Sequence, residues 1–366
     1  MRGPGRVNLI GEHTDYNEGF VLPVAIDRWI MMALVPTDDR VVELTLLADG
    51  TTSRFELDAL PRPGRGSIDY VAGVAWSLSE SGWPVRGFRA VLASNLPMSA
   101  GLSSSAALEL ASAWALLDAD RRPDTDQDRM ELARIAQRAE NDFVGVRCGL
   151  MDQFASSLGR PGAAMLLDCR SLDYRAVTLP LEEHALVVCD SASPRRLAAS
   201  QYNARREQCE RATRLIRSRR PSVKSLRDVD SATLAESADL LDDETMRRAQ
   251  HVVSENQRVL DCVDALERGD MEAVGRLFAA SHASLRDLYE VSSPELDALV
   301  EAATAAPGGV AARMTGAGFG GCTINVVERN RVDDFAESVT LSYRRATGLT
   351  GRVMVVNPSA GAGVVE

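Results

Sequence analysis

The chain has 366 residues, 45% of them hydrophobic and 25% charged, enough to bury a large core and to form two domains. Its net charge of −11 argues against nucleic acid or an anionic membrane surface as the main partner. Of the 41 basic residues only Lys224 is a lysine, which excludes a P-loop, whose lysine directly follows the last glycine, and disfavours a protein-kinase site.

In chain order, the first dense segment is Gly5-Arg-Val-Asn-Leu-Ile-Gly-Glu-His-Thr-Asp-Tyr-Asn17. After an apolar stretch it presents Glu12, His13 and Asp15 together. Such closely spaced donors and acceptors suit a ligand with several hydroxyls, or a polar loop that satisfies itself. Strands are predicted at 24–35 and 41–47, a helix at 68–78 and a strand at 88–93. Then comes Leu96-Pro-Met-Ser-Ala-Gly-Leu-Ser-Ser-Ser-Ala-Ala107, where a glycine and small hydroxyl residues stand before a helical pattern. Free N–H groups at a helix start favour anions, so the segment reads as a phosphate cradle or as a Ser-capped helix.

A long helix is predicted from about 127 to 144, carrying Glu140. Asp152 follows in the turn Cys148-Gly-Leu-Met-Asp-Gln-Phe154, as a helix cap or a catalytic base. Glu140 reads as a solvated helix residue or a carboxylate for magnesium. A strand at 163–168 closes the first half. The second half is predicted as a strand at 185–190, helices at 197–219, 246–268, 270–289 and 294–305, strands at 311–314 and 322–327, a helix at 332–346 and a strand at 352–356. Between the paired strands, Met314-Thr-Gly-Ala-Gly-Phe-Gly-Gly-Cys322 has more glycine than a tight hairpin needs. It is a bulged hairpin or a place where backbone approaches a ligand or another loop. The expected architecture is α+β in two halves, 1–178 and 179–366.

The six cysteines (148, 169, 189, 209, 262, 322) form no C-x-x-C pair, and the four histidines (13, 184, 251, 282) show no zinc spacing. Reduced thiols, no signal peptide and a cytoplasmic location are expected. No apolar run reaches membrane-spanning length.

Taken together and in this order, the segments resemble the GHMP small-molecule kinases, and within them the members that phosphorylate galactose. Ala139-Glu-Asn-Asp-Phe-Val-Gly, Asp168-Cys-Arg-Ser-Leu and Ser200-Gln-Tyr-Asn-Ala-Arg-Arg add to the likeness, which spans about residues 3 to 327. The resemblance implies a two-domain fold, with an N-terminal domain like ribosomal protein S5 domain 2 and a ferredoxin-like α+β C-terminal domain, the active site lying between them. It implies ATP-dependent phosphorylation of the anomeric hydroxyl of D-galactose, with Mg2+, by a monomer or weak dimer. Asp152 would take or orient the C1 hydroxyl proton, and Arg6 would stabilise charge beside it. Glu12, His13, Thr14, Asp15 and Tyr202 would hold the sugar. Ser99, Ala100, Gly101, Leu102, Ser103, Ser104 and Ser105, with Gly316 and Gly318, would enclose the triphosphate. Ser105 and Glu140 would serve magnesium. The chain departs from the family in Met98-Ser99-Ala100, where Leu-Gly-Gly or Leu-Gly-Ala is commoner, and in Ala317, where glycine is common.

Overall fold

The computed structural model describes residues 1–61, 63–64, 66–97, 101–193 and 198–365, with no side-chain detail at 198–200. In chain order its elements are β1 (Arg2–Asn8), β2 (Phe20–Val21), β3 (Pro23–Thr37), β4 (Val41–Leu46), β5 (Thr52–Glu56), α1 (Ser67–Glu80), β6 (Gly87–Ser94), α2 (Ser104–Leu116), α3 (Asp126–Arg138), α4 (Met151–Leu158), β7 (Ala163–Asp168) and β8 (Tyr174–Thr178). The second half holds β9 (His184–Asp190), α5 (Ala198–Arg219), α6 (Ser231–Glu236), α7 (Asp243–Arg268), α8 (Met271–Asp287), α9 (Pro294–Ala305), β10 (Gly309–Thr315), β11 (Cys322–Glu328), α10 (Val332–Thr347) and β12 (Arg352–Val356).

In the first half, five strands pair in the order β1-β3-β6-β4-β5. Helix α2 lies under this sheet, and every residue from Ala106 to Leu116 is buried, as expected of a helix packed on all sides. Strand β1 runs directly over it. A Cβ on Gly3 would lie 2.0 Å from the Ala107 carbonyl oxygen, and one on Gly5 would lie 2.7 Å from that of Leu102. Two glycines thus let β1 press onto the start of α2 and bring Arg6 to it.

The second half carries an antiparallel sheet of order β10-β11-β9-β12, backed by α8, α9 and α10. Strands β2, β7 and β8 form a small third sheet, and α5, α7 and α8 contribute Ile216, Val252 and Leu285 to a separate core. One apolar cluster runs unbroken from Val7 and Leu110 through Val259 to Ile324, so the halves share a core. The segment after β12 crosses back to the first half: Ser359 N–H donates to Ala25 and Gly361 N–H to Gly159, at 2.8 and 3.0 Å.

The predicted helix over 127–144 is divided. Helix α3 opens on a capping box between Thr125 and Asp128 and is α-helical to Arg138. Residues Ala139–Val144 then widen into a π-type turn, in which Gly145 N–H donates to the Glu140 carbonyl at 2.9 Å. Such widened turns aim side chains that a regular helix would place elsewhere. Here the turn buries Glu140 facing α2. Among the described residues no helix is long and apolar enough to cross a membrane, and all six cysteines are free thiols.

Candidate active site

A cavity of about 240 Å³ opens where the halves meet. The first half lines it with Arg6, His13, Asp15, Ser103 to Ser105, Glu140 and Asp152; Tyr202, Gly316 and Ala317 come from the second.

At its centre Asp152, in the first turn of α4, meets Arg6 from β1 and Ser103 from the cap of α2. Arg6 Nε and Nη2 each approach Asp152 Oδ1 at 2.8 Å, and Ser103 Oγ donates to Oδ2. Arg6 Nη1 also donates to the Gly101 carbonyl at 2.6 Å. Ser103 adopts a left-handed conformation (φ 58°), strained for a residue with a side chain, and makes no side-chain cap. Its hydroxyl therefore serves Asp152, and the first N–H groups of α2 are left open toward an anion.

The sugar-motif residues border this centre. A Cβ on Gly149 would fall 1.9 Å from Asp15 Oδ2, so that glycine makes room for the Asp15 carboxyl. Burial, and then the charge of Asp152, push the Asp15 carboxyl up to about 6. His13 is buried at φ 63° with its Nε2 3.3 Å from the Ala317 carbonyl and its Nδ1 2.9 Å from Tyr16 Oη. Burial pushes its imidazole down to about 3, so it is neutral. Tyr202 stands 5.5 Å from the His13 ring. Glu12 lies in the cavity wall, but its carboxylate is largely committed to the second half. Oε1 accepts from Gly316 N–H at 3.0 Å, and Oε2 pairs with the fully buried Arg313.

Thr14 corrects the expectation that it holds the ligand. It is fully buried and absent from the cavity lining; its hydroxyl donates to the Gly11 and Phe20 carbonyls at 2.8 and 2.6 Å. The Leu102 side chain sits in the core, and its carbonyl accepts from Arg6 N–H at 3.1 Å. At Gly318 a Cβ would sit 2.2 Å from the Val291 carbonyl oxygen, so packing against that segment requires a glycine. Gly316 does meet the first glycine loop, with a Cβ position 2.8 Å from the Gly101 oxygen. Ala317 stands between Gly316 and Gly318, both at φ 82°, yet is not itself left-handed, so alanine brings no backbone strain. Ser99 and Ala100 lie outside the described residues.

Behind the phosphate loop is a carboxyl pair that the sequence did not reveal. Gln153 Nε2 donates to Glu109 Oε2 at 2.9 Å and to Glu140 Oε2 at 2.7 Å. Burial, then the nearby Asp152 charge, raise Glu140 to about 7, and Ser105 donates to it. Burial and then Glu140 push Glu109 well above the ordinary carboxyl range. Glu109 sits mid-helix in an apolar run, and a lone acid there was the available signal. Arg313, alone among apolar residues in β10, was another.

A cleft with a serine-lined helix start, two touching glycine loops and an Arg–Asp pair, on this pair of sheets, defines a GHMP-type small-molecule kinase. Three family models match in order. The galactokinase galactose-binding signature covers residues 1–36, the GHMP kinases N-terminal domain 69–160 and the GHMP kinases C-terminal domain 262–345. Galactokinase of Roseiflexus sp. (strain RS-1) is 47% identical over 365 residues, covering 100% of this chain and 92% of the relative. That of Chloroflexus aggregans is 46% identical, covering 99% and 92%. The solved Lactococcus lactis galactokinase complexed with galactose superposes with a TM-score of 0.93 at 36% identity, over 98% of this chain and 93% of that one. Methanococcus jannaschii mevalonate kinase shares the fold at TM-score 0.66 and 18% identity, covering 98% of each chain. The chain belongs to the galactokinase family.

Proposed function

We propose that the protein transfers the γ-phosphoryl group of ATP to the anomeric C1 hydroxyl of D-galactose, giving galactose 1-phosphate. The carrying observation is the position of Asp152, held by Arg6 and Ser103 between the sugar-motif residues and the open start of α2. Phosphoryl transfer needs in-line positioning and charge neutralisation more than covalent help. Asp152 orients the C1 hydroxyl and accepts its proton as the oxygen–phosphorus bond forms. Because Arg6 engages Oδ1 twice, Oδ2 is the oxygen nearer to free for that proton. Arg6 offsets charge developing on the transferred group, a role that no lysine is placed to fill. Asp15 accepts from the sugar hydroxyls, Tyr202 and the His13 ring, whose two nitrogens are engaged by Tyr16 and Ala317, wall the sugar, and the N–H groups of residues 103–105 bind phosphate.

The donor set behind the loop fits a magnesium ion. Glu140 is a buried carboxylate beside the Ser105 hydroxyl, and Glu109 Oε1 is a buried oxygen without a hydrogen-bond partner. Magnesium takes one or two protein oxygens and completes its shell with water and substrate phosphates. Ser105 and Glu140 would hold it, and when bound it would neutralise phosphate charge. The protein is expected to act in the cytoplasm as a monomer or weak dimer.

The test is a panel of sugars with ATP and magnesium, read as ADP formed per sugar consumed. Galactose should be preferred; a preference of about tenfold for another sugar, roughly 1.4 kcal/mol in the barrier, would replace the substrate named here. Binding of galactose and ATP without turnover would instead make the protein a sensor.

A further inference from the structure

The segment between α8 and α9 touches both sides of the cleft without lining it. Tyr289 Oη lies 2.7 Å from Tyr16 Oη and 3.0 Å from Cys209 Sγ. Its ring meets two imidazoles at tilted angles of 40° and 41°, with centroids 4.7 Å from His13 and 4.5 Å from His251. Two residues on, the Val291 carbonyl accepts Phe319 N–H from the third glycine loop at 2.7 Å, and packs where a Cβ of Gly318 would be. The segment is itself fastened from the helical core: Arg205 Nε donates to the Tyr289 carbonyl at 2.7 Å, and Arg205 Nη2 to that of Glu290 at 2.9 Å.

One carbonyl fixes the direction of every proton in this chain of contacts. The Ala317 oxygen can only accept, so His13 Nε2 carries the hydrogen. Nδ1 of the neutral ring is then a lone pair and must accept from Tyr16 O–H. The Tyr16 oxygen is thereby left to accept from Tyr289 O–H, and the Tyr289 oxygen accepts from Cys209 S–H. A parallel constraint holds at the second imidazole beside the Tyr289 ring. His251 Nε2–H donates to the Glu12 carbonyl at 3.1 Å, and its Nδ1 accepts from Ser284 at 2.8 Å. The backbone of the sugar motif and the backbone of the glycine loop are therefore referred to the same residue.

We propose that Tyr289 is a positioning residue of the reaction, which through Tyr16 supports the His13 tautomer that the Ala317 carbonyl selects, and holds the sugar-side loop and the third glycine loop in one fixed relation. It touches neither substrate; it acts by keeping His13 Nε2–H directed at the Ala317 carbonyl across the cleft. The inference rests on the reading that this cleft takes a sugar and a nucleotide.

Two measurements test it. In the wild-type protein at neutral pH, long-range proton–nitrogen correlation should show His13 as the Nε2–H tautomer; the Nδ1–H tautomer or an imidazolium would overturn the proposal. In Tyr289→Phe, which keeps the ring and removes the hydroxyl, the KM values for galactose and for ATP should rise together by about 5- to 10-fold, the worth of one buried hydrogen bond, with kcat within about twofold. Tyr16→Phe should act alike, and the double variant should lose no more than either single one. Unchanged KM values, a rise for one substrate only, or additive losses would sink it. If Tyr289→Phe fails to fold, the wild-type tautomer and Tyr16→Phe still decide. A wild-type protein that phosphorylates no sugar refutes the proposed function; an active wild type with an unaltered Tyr289→Phe refutes this inference alone.

Discussion

Asp15 and Asp152 are two acids with different environments, and their separate duties follow from that. Asp15 is withdrawn from water and lies in the field of Asp152, which holds its carboxyl at about 6. A raised carboxyl is protonated below that value, and a protonated carboxyl loses acceptor capacity for sugar hydroxyls. Galactose affinity, measured by calorimetry without nucleotide, should therefore fall as pH drops through about 6. Asp15→Asn should bind weakly at every pH and show no such step; a wild-type affinity that stays flat down to pH 5 would refute the assignment. Asp152 carries the chemistry. Asp152→Asn should lower kcat by about 10²- to 10⁴-fold, the range of a positioned acid–base group, while galactose still binds. Turnover near that of the wild type would remove the role. At this scale the sequence indicated which residues gather but not where each side chain points. Asp15, His13 and Asp152 do border the cavity, whereas Thr14, in the same motif, spends its hydroxyl on two backbone carbonyls. A motif fixes proximity along the chain, while hydroxyl direction depends on Phe20 folding back over Gly11.

At the level of elements, the loop between β10 and β11 does what four glycines suggested, but for two different reasons. Gly316 is at φ 82° with the Gly101 oxygen 2.8 Å from its would-be Cβ, so the two glycine loops touch there. Gly316→Ala should cost about 1–3 kcal/mol of strain in a thermal melt and raise the KM for ATP more than that for galactose. An unchanged melt with unchanged ATP KM would show that the loops do not bear on each other. Element boundaries were readable where apolar spacing and hydrogen bonding agree, as in α7, α8 and β11. They diverge after Arg138. Ala139 and Phe143 continue the apolar spacing of α3, so the sequence reads as one helix, but the backbone has already changed to a wider turn that ends at Gly145. Side-chain spacing cannot report a change of hydrogen-bond partner of one residue. Strands β2, β5 and β8 were missed because they are two to five residues long and partly polar, and β1 because Gly3, Pro4 and Gly5 interrupt its pattern.

Over the whole molecule, the deepest electrostatic tie runs between the halves. Arg313 is fully buried on β10 and pairs with Glu12; its Nη1 also donates to the Leu9 carbonyl at 2.8 Å. Removing one partner of such a pair leaves a bare buried charge, so Arg313→Leu should destabilise the protein by about 3–5 kcal/mol in denaturant unfolding. Adding Glu12→Gln should recover part of that loss, since no charge then stays unpaired. A loss no larger for the single variant than for the double would show that the pair is not the tie. The regrouping of strand and helix signals near residue 180 was accessible in the sequence. The crossing of residues 357–363 back to β1 and β3 was not, because those return contacts, apart from Asn357 to Asp27, run between backbone groups, which carry no residue signature.

That ion pair bears on how the chain can be cut. Severed between β8 and β9, the polypeptide would give one fragment with Glu12 and another with Arg313, so the cut divides a buried ion pair. Neither piece should hold its structure alone. Mixed or co-expressed, they should reassemble into a working whole, which makes this junction a natural place for a split reporter whose signal depends on the two fragments meeting.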